Sequence, residues 1–319
     1  ANAQMWGVEM VANSFIGPPL GSFLLAVGFA MPFFLDAGTF AVAAGLVFLI
    51  TGSFRSREPG EVAEKIDWWG EIREGWDWLW HHPLLRPMAI ILGLMNGLFA
   101  VTMATFVLFA QEVLGVSALT FAILGTGGAF GGLAATFWAS KVSERLGSGT
   151  SLYLTMIFGA VTTLITGLAS HWTIAWVMFT LGTFTAVLWN VITVSLRQTI
   201  IPDRLLGRVN SVYRFFAWGM IPIGSAIGGL LVVGSETAMS REFSLRMPWL
   251  VSAAVWLLVF FYAAPKLTTD KIEAARTEGI AAKEEAGELP ADGEVASEAI
   301  SEAGVTGAPP PIDEVVDDD

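Results

Sequence analysis

The chain has 319 residues, of which 54% are hydrophobic and only 14% are charged, and it carries a formal net charge of −12. A soluble domain typically carries about 25% charged residues, so this composition argues against a soluble enzyme, and the negative charge excludes a basic nucleic-acid-binding protein. The absence of cysteine and the presence of only three histidines exclude thiolate metal sites and predict neither a metal nor a cofactor.

Eight apolar runs follow one another along the chain, and each has roughly the 20 residues that a helix needs to cross a bilayer. The runs are apolar on nearly all sides, whereas a soluble helix bundle shows polar stripes with a period of 3.6 residues. The sequence therefore predicts an all-α polytopic membrane protein with about eight transmembrane helices. The runs cover residues 5–27, 30–53, 88–110, 118–140, 150–169, 172–195, 211–234 and 247–265.

The first two runs contain two carboxylates, Glu9 and Asp36. Ionisable residues within a membrane span are functional candidates by default. Asp36 is therefore a candidate proton carrier. The alternative is that its carboxylate is simply hydrated by water from the outer side of the membrane. Glu9 is a second candidate for carrying protons. The alternative is that its side chain extends to the cytoplasmic lipid headgroups and has no part in coupling.

The segment between the second and third runs, residues 54–87, contains five tryptophans among acidic and basic residues. Apolar side chains recur there at helical spacing, at Ile66, Trp69, Ile72, Trp76 and Leu79. This pattern predicts an amphipathic helix at the level of the lipid headgroups. Its role is either a connector between two helix groups or a lipid sensor.

The six later runs contain few polar residues, and those near mid-span are candidates for the lining of a substrate cavity. The alternative for each is a hydrogen bond between helices. The cavity candidates in these runs are Asn96, Thr126, Thr183 and Asn190, and Asn13 of the first run is a fifth. Glycine pairs spaced four apart in these runs, such as Gly127 with Gly131 and Gly224 with Gly228, are typical of close helix packing.

The acidic charge is concentrated after the last run. Residues Lys266 to Asp319 include 15 acidic and 4 basic side chains and no aromatic one. Such a composition predicts a disordered tail over 266–319, with a helical start near 270–286. We expect from this that deletion of residues 270–319 leaves folding intact.

Basic residues indicate the orientation of the spans. If the helices alternate in direction, 15 of the 17 lysines and arginines fall on one side, and only Arg241 and Arg246 fall on the other. Because positive charge accumulates in cytoplasmic loops, the N-terminus of this chain and the tail are predicted to be cytoplasmic.

Three short motifs point to one family. Residues 17–22 read Gly-Pro-Pro-Leu-Gly-Ser, and the related Pro-Ile-Gly-Ser recurs at 222–225. Residues 197–211 contain Arg-Gln, Pro and Leu-Gly-Arg-Val-Asn-Ser in sequence. At these positions the chain resembles the major facilitator superfamily, in the branch of bacterial exporters that includes enterobactin and macrolide efflux proteins.

The resemblance implies a helix bundle of the major facilitator type, in which twelve helices form two halves. The chain would then begin just before helix five. The implied parts are residues 1–54 for the last two helices of the first half, 55–87 for a cytoplasmic linker, 88–265 for the second half and 266–319 for the tail. The implied gating residues are Gly17, Pro18, Gly21, Arg197 and Arg208, and they join the coupling candidates Asp36 and Glu9. For the glycines and the proline the alternative is plain helix packing. In the family, cytoplasmic loops like the one that holds the two arginines form salt bridges that latch one state. Here the latch would include Arg204, Asp203, Glu144 and Lys141, with a simple anchor of positive charge as the alternative.

The function implied is secondary active export of a small amphiphilic molecule, coupled to protons by alternating access. The partners would be the bilayer of a bacterial plasma membrane, the substrate and protons. An alternative is a non-transporting fragment or a membrane interaction module. A membrane enzyme would need a cluster of acidic, histidine or cysteine side chains, which the sequence does not show.

Overall fold

The computed structural model describes residues 17–49 and 67–288. The chain forms two compact units, residues 1–68 and 69–319. The described residues are helical, and their helices are α1 (Gly17–Val27), α2 (Met31–Phe48), α3 (Trp68–His81), α4 (Leu85–Met103), α5 (Ala118–Leu146), α6 (Ser148–Leu168), α7 (Trp172–Ile200), α8 (Asp203–Glu236), α9 (Arg241–Ala263) and α10 (Thr269–Glu285). A three-residue helical turn, Phe106–Leu108, and a π-helical turn, Phe109–Val113, lie between α4 and α5.

Seven of these helices are long and apolar enough to cross a membrane: α2 and α4 to α9. They coincide with seven of the eight predicted runs, which confirms the all-α polytopic fold. The remaining run, 5–27, is described only from Gly17, where α1 has 11 residues. Helices α8 and α9 begin before the apolar runs that predicted them, because polar first turns at Asp203 and Arg241 continue the same helices.

Side chains and one glycine set the helix starts. Ser117, Ser240 and Thr268 each accept a hydrogen bond from the backbone of the first turn of α5, α9 and α10. Gly147 adopts φ +79°, a conformation that favours glycine, and it separates α5 from α6. The ring of His82 accepts hydrogen bonds from the backbone before α4, and burial lowers the pKa of His82 to about 4, so it is neutral at pH 7.

Helices α4 to α9 pack as three close pairs, α4 with α8, α5 with α7 and α6 with α9. Glycines allow each approach. A β-carbon added to Gly224 would lie 2.1 Å from the carbonyl oxygen of Gly97, and one added to Gly131 would lie 2.1 Å from that of Thr180. On α6, a β-carbon at Gly159 would lie 2.9 Å from the Trp256 indole. We call these three glycine-dependent contact lines the seams.

Helix α10 packs on α7 and α6. Ile272 is fully buried, Gly279 lies against the backbone of Ile200, and Lys283 is 7% exposed. The sequence placed the end of the folded body at residue 265 and predicted a disordered tail beyond it, with a helical start near 270–286. The structure has a helix there, α10, and differs from the prediction in its burial, because Ile272, Gly279 and Lys283 recur on one helical face and pack against the body. The rest of the predicted tail, 289–319, lies outside the described residues.

Ionic contacts differ at the two ends of unit 69–319. At the end where α8 begins, which we call the basic end, Lys283 pairs with Asp203, and Ser148 donates a hydrogen bond to Glu273 over 3.3 Å. At the opposite end, Arg241 pairs with Glu236 and, over 2.8 Å, with Glu112. Arg246 there donates to the carbonyl oxygens of Gly167 and Ala169 at the end of α6.

Candidate functional site

A cavity of about 370 Å³ lies within unit 69–319, where the three helix pairs meet. Helix α4 comes from one pair, α7 from the second, and α6 and α9 form the third. The side chains of these four helices make its wall. The principal polar and aromatic lining residues are Asn96, Phe99, Thr102, Thr155, Thr162, Thr163, Thr166, Phe179, Thr183, Thr185, Trp249 and Trp256.

Threonine supplies most of the polar lining. Each of five lining threonines donates its hydroxyl proton to a backbone carbonyl of its own helix. The hydroxyls are therefore satisfied as donors without any partner from another helix, and this explains how polar residues are tolerated in an apolar bundle. No lining residue is acidic or basic.

Two tryptophans of α9 form the aromatic part of the wall. The ring of Trp249 lies 5.3 Å from that of Phe109 and 6.1 Å from that of Phe179, measured between centroids. Trp249 is only 3% exposed, and its indole nitrogen has no hydrogen-bond partner within the described residues. The tryptophans therefore give the cavity aromatic surface, while the indole nitrogen of Trp249 is turned away from accessible space.

Two predicted cavity residues, Asn96 and Thr183, lie in this wall. The Asn96 amide also donates to the carbonyl oxygen of Ala217 on α8 over 2.8 Å. The other lining threonines and the two tryptophans were not predicted. The sequence pattern that could have identified the threonines is the spacing of Thr155, Thr162 and Thr166, which places three hydroxyls on one face of α6.

The other predicted cavity residues lie elsewhere. Thr126 does not line the cavity, and its hydroxyl accepts a hydrogen bond from the Trp176 indole over 3.1 Å. Asn190 is exposed and donates to the carbonyl oxygen of Ala186 within its own helix. Asn13 lies outside the described residues. For Thr126 the interhelical hydrogen bond was the alternative considered from the sequence.

The predicted coupling and gating residues near the N-terminus fall in unit 1–68. Asp36 lies in α2 and is exposed there. Gly17 begins α1, and a β-carbon added to Gly21 would meet no atom within 4 Å. Glu9 lies outside the described residues, as does the side chain of Pro18. The gating roles of these residues stay predictions.

Arg208 joins a cluster at the basic end that the sequence did not predict. Its guanidinium contacts Glu74 and, over 3.2 Å, Glu71, both on α3. Arg204 contacts Glu74 over 2.9 Å. Close packing supports these pairs, since a β-carbon on Gly75 would lie 2.7 Å from the Arg208 carbonyl oxygen. The amphipathic helix predicted over this segment is therefore docked on α8 by these ion pairs and by apolar contacts, since Leu79 is fully buried and Trp76 stacks on Phe216 of α8.

Arg197 was predicted to share a latch with Arg204, Arg208, Asp203, Glu144 and Lys141. In the structure its guanidinium stacks on the ring of Tyr213, 3.9 Å from the centroid, and its Nε donates to the Thr193 carbonyl oxygen. Asp203 instead pairs with Lys283. The linker helix α3 and helix α10 thus supply the partners that the sequence had assigned to the loops.

Replacing Glu74 by glutamine is expected to loosen α3 from α8, because both arginines lose their shared carboxylate. Hydrogen bonding from Arg204 holds the pKa of Glu74 below its usual value of 4.5. Its contribution is therefore complete at neutral pH and is lost as the pH falls through the lowered pKa. The measurement is amide hydrogen exchange in α3, which should become faster.

The matched control is Asp77→Asn, because Asp77 lies on the same helix and pairs only with its own helix neighbour Arg73 among the ion pairs of the described chain. Equal exchange in the two variants would show that the contacts of Glu74 do not hold α3.

The described residues hold no group of three or more histidine, cysteine, aspartate or glutamate side chains suited to a metal ion. The candidate site is therefore the uncharged cavity, with ionic clusters at the two ends of the bundle that surrounds it.

Comparison with known proteins gives one family. No curated protein and no solved structure matches the chain. The family model of the Major Facilitator Superfamily matches residues 10–225, about two thirds of the chain. This range includes α1, α2 and most of the helices around the cavity, and the helical architecture agrees with it. The chain belongs to the Major Facilitator Superfamily, and it is a membrane transporter and not an enzyme.

Proposed function

We propose that this transporter exports a small amphiphilic molecule and that the cavity of the second unit is part of its binding site. The observation that carries the proposal is the lining, which combines aromatic rings with neutral hydroxyls. Ligand sites are typically clefts of roughly 300–1,000 Å³ with an apolar wall and a few placed polar groups. The volume of about 370 Å³ falls in this range.

The absence of charge in the lining supports an uncharged or weakly polar substrate. Burying an isolated charge without a partner costs a large free energy, and no lining residue would offset it. We propose alternating access by rocking of the two halves of the protein around a midplane site, the usual mechanism of secondary transporters. The seams support it, because close packing lets the second half move as one body.

The direction of transport and the orientation rest on the sequence. The motif at residues 17–22 resembles that of exporters, and the basic residues collect on one side. We place the basic end, with α3 and α10, in the cytoplasm of a bacterial cell and the Arg241 cluster outside. In this proposal residues 1–54 belong to the first half, 55–87 to the linker and 88–265 to the second half.

Protons are the proposed coupling ion, and Asp36 is the proposed carrier. It is a carboxylate within the candidate span Met31–Phe48, a position where ionisable groups are costly and usually functional. Glu9 is the second candidate. Gly17, Pro18 and Gly21 would permit bending and close approach of the first helix, while Arg197 and Arg208 would stabilise one state at the cytoplasmic end.

Reconstitution of the natural full-length protein in vesicles tests export. A pH gradient is expected to drive efflux of a fluorescent amphiphile, and collapse of the gradient should stop it. Gradient-independent leakage equal to that of empty vesicles, across neutral and charged probes, would contradict export. Probe binding without any flux would favour the alternative of a membrane interaction module.

Asp36→Asn is expected to abolish the response of flux to the pH gradient while leaving substrate binding in place. The neutral amide keeps the shape of the side chain but cannot exchange a proton. Thr39→Val is the matched control, since Thr39 lies one turn away and donates to the Asp36 carbonyl oxygen over 2.7 Å. Retained coupling in Asp36→Asn would remove Asp36 from the mechanism.

A further inference from the structure

The cavity has a definite hydrogen-bond polarity. Thr102, Thr155 and Thr185 donate to carbonyl oxygens three residues earlier, at 2.9, 2.7 and 2.9 Å. Thr162 and Thr166 donate to carbonyl oxygens four residues earlier, at 2.7 and 2.8 Å. A hydroxyl has one proton and two lone pairs. Because the protons of these five are used within their own helices, the hydroxyls can offer a ligand only acceptor lone pairs.

The donors of the wall are fewer. The Asn96 amide donates one N–H to Ala217 and keeps its second N–H. The hydroxyls of Thr163 and Thr183 also line the cavity and have no hydrogen bond within the described residues. The indole N–H of Trp249 lacks a partner as well, but its nitrogen has almost no accessible surface and does not open into the cavity.

We infer that the cavity binds uncharged amphiphiles that carry a hydroxyl or primary amide group, and that it discriminates against molecules of the same shape without a donor proton. The hydroxyl or amide proton would be donated to a threonine oxygen, and the oxygen of the ligand would accept from the second N–H of Asn96 or from the Thr183 hydroxyl. The apolar body would contact Trp256, Phe99 and Phe179. As a statement about transported substrate this rests on the proposed function, whereas as a statement about binding it does not.

Charged ligands are disfavoured by the same wall. A carboxylate would find only neutral donors, no basic side chain to balance its charge, and five hydroxyls that offer lone pairs. An ammonium group would find lone pairs and aromatic faces but no carboxylate to balance its charge, and its desolvation would remain uncompensated. Ethers and esters of similar size would accept from the few donors but leave the threonine lone pairs without donors.

The test compares matched ligands on the natural full-length protein in lipid nanodiscs, by calorimetric titration with empty nanodiscs as the blank. The probes are para-hexylphenol, its methyl ether para-hexylanisole, and para-hexylbenzoate. We expect the phenol to bind about tenfold more tightly than the ether, the factor that corresponds to one buried hydrogen bond, and the benzoate not to bind. Equal affinity of phenol and ether, or tighter benzoate binding, would overturn the inference.

Variants locate the effect in the cavity. Thr162→Val and Thr166→Val each remove a lining hydroxyl without changing side-chain shape. Each is expected to weaken phenol binding toward that of the ether. Thr136→Val is the control, since Thr136 makes the same kind of bond to its own helix, to Gly132, but does not line the cavity. Unchanged selectivity in Thr162→Val and Thr166→Val together would contradict the proposed polarity.

Measuring gradient-driven efflux of the same ligands distinguishes a failure of this inference from a failure of the proposed export. Selective phenol binding without gradient-driven efflux would leave the inference standing and remove export. Efflux that is equal for phenol and ether, and unaffected by the threonine variants, would leave export standing and remove the inference. The comparison of ligands on the unmodified protein remains decisive even if a variant does not fold.

Discussion

Gly131→Ala is expected to be strongly destabilising. The added β-carbon would lie 2.1 Å from the Thr180 carbonyl oxygen and 3.0 Å from the Thr183 β-carbon. These are backbone and near-backbone atoms that cannot rotate away, so helices α5 and α7 must separate. Overpacking of this kind typically costs about 1–3 kcal/mol, and a whole seam is affected here. The measurement is the thermal unfolding midpoint in detergent, together with the yield of monodisperse protein.

The adjacent Gly132→Ala is the matched control, because its β-carbon would meet only a methyl group of Thr183 at 4.0 Å. Alanine is favoured over glycine in a helix by about 1 kcal/mol, so this variant should be unchanged or slightly more stable. The same contrast is expected on α8, where a β-carbon added to Gly228 would lie 2.2 Å from the Val101 carbonyl oxygen, whereas one added to Gly229 would meet no atom within 4 Å. Equal unfolding midpoints within each pair would show that the seams do not depend on these glycines.

Removal of α10 is the second change with a large expected effect. A chain that ends at Leu267 should give little folded protein, because it uncovers the ends of α6 and α7 and leaves Asp203 without Lys283. The contact is close, since β-carbons on Gly149 and Gly279 would lie 2.4 Å and 2.9 Å from backbone atoms of Thr269 and Ile200. The readouts are membrane-inserted yield and the unfolding midpoint.

A chain that ends at Glu288 is the control, because it retains every described contact of α10. It should match the full chain in yield and unfolding midpoint. Ile272→Ala gives a milder test, with an expected loss of about 2–5 kcal/mol for a fully buried isoleucine. Normal folding of the chain that ends at Leu267 would restore the expectation, drawn from composition, that everything after residue 270 is dispensable.

The spans were predictable from the sequence because membrane insertion imposes a length and an apolar surface that can be read residue by residue. Seven of the eight predicted runs are helices of sufficient length. The glycine pairs were predictable as packing devices for the same local reason. Their partners were not, since nothing in Gly131 itself indicates that Thr180 lies opposite. Which helices pair is decided by contacts far apart in the chain.

The candidate site was predicted in part. Asn96 and Thr183 were recognised as polar residues in apolar runs, and they lie in the cavity wall. Thr155, Thr162 and Thr166 were missed because threonine is common in membrane helices and satisfies its own hydroxyl. Helix α10 was expected as a helical start, but its burial was missed. Its acidic composition hid the face formed by Ile272, Gly279 and Lys283.

The α6–α9 seam differs from the other two, because its glycines face tryptophan side chains instead of backbone. Gly159 lies against Trp256 and Gly167 against Trp249, and both tryptophans also wall the cavity. Enlarging the cavity by shortening either tryptophan would therefore cost stability, and mutants with a broader substrate range should arise at flexible residues outside the seam, such as Met95 and Met178. Adaptation to larger compounds would then begin with methionine substitutions.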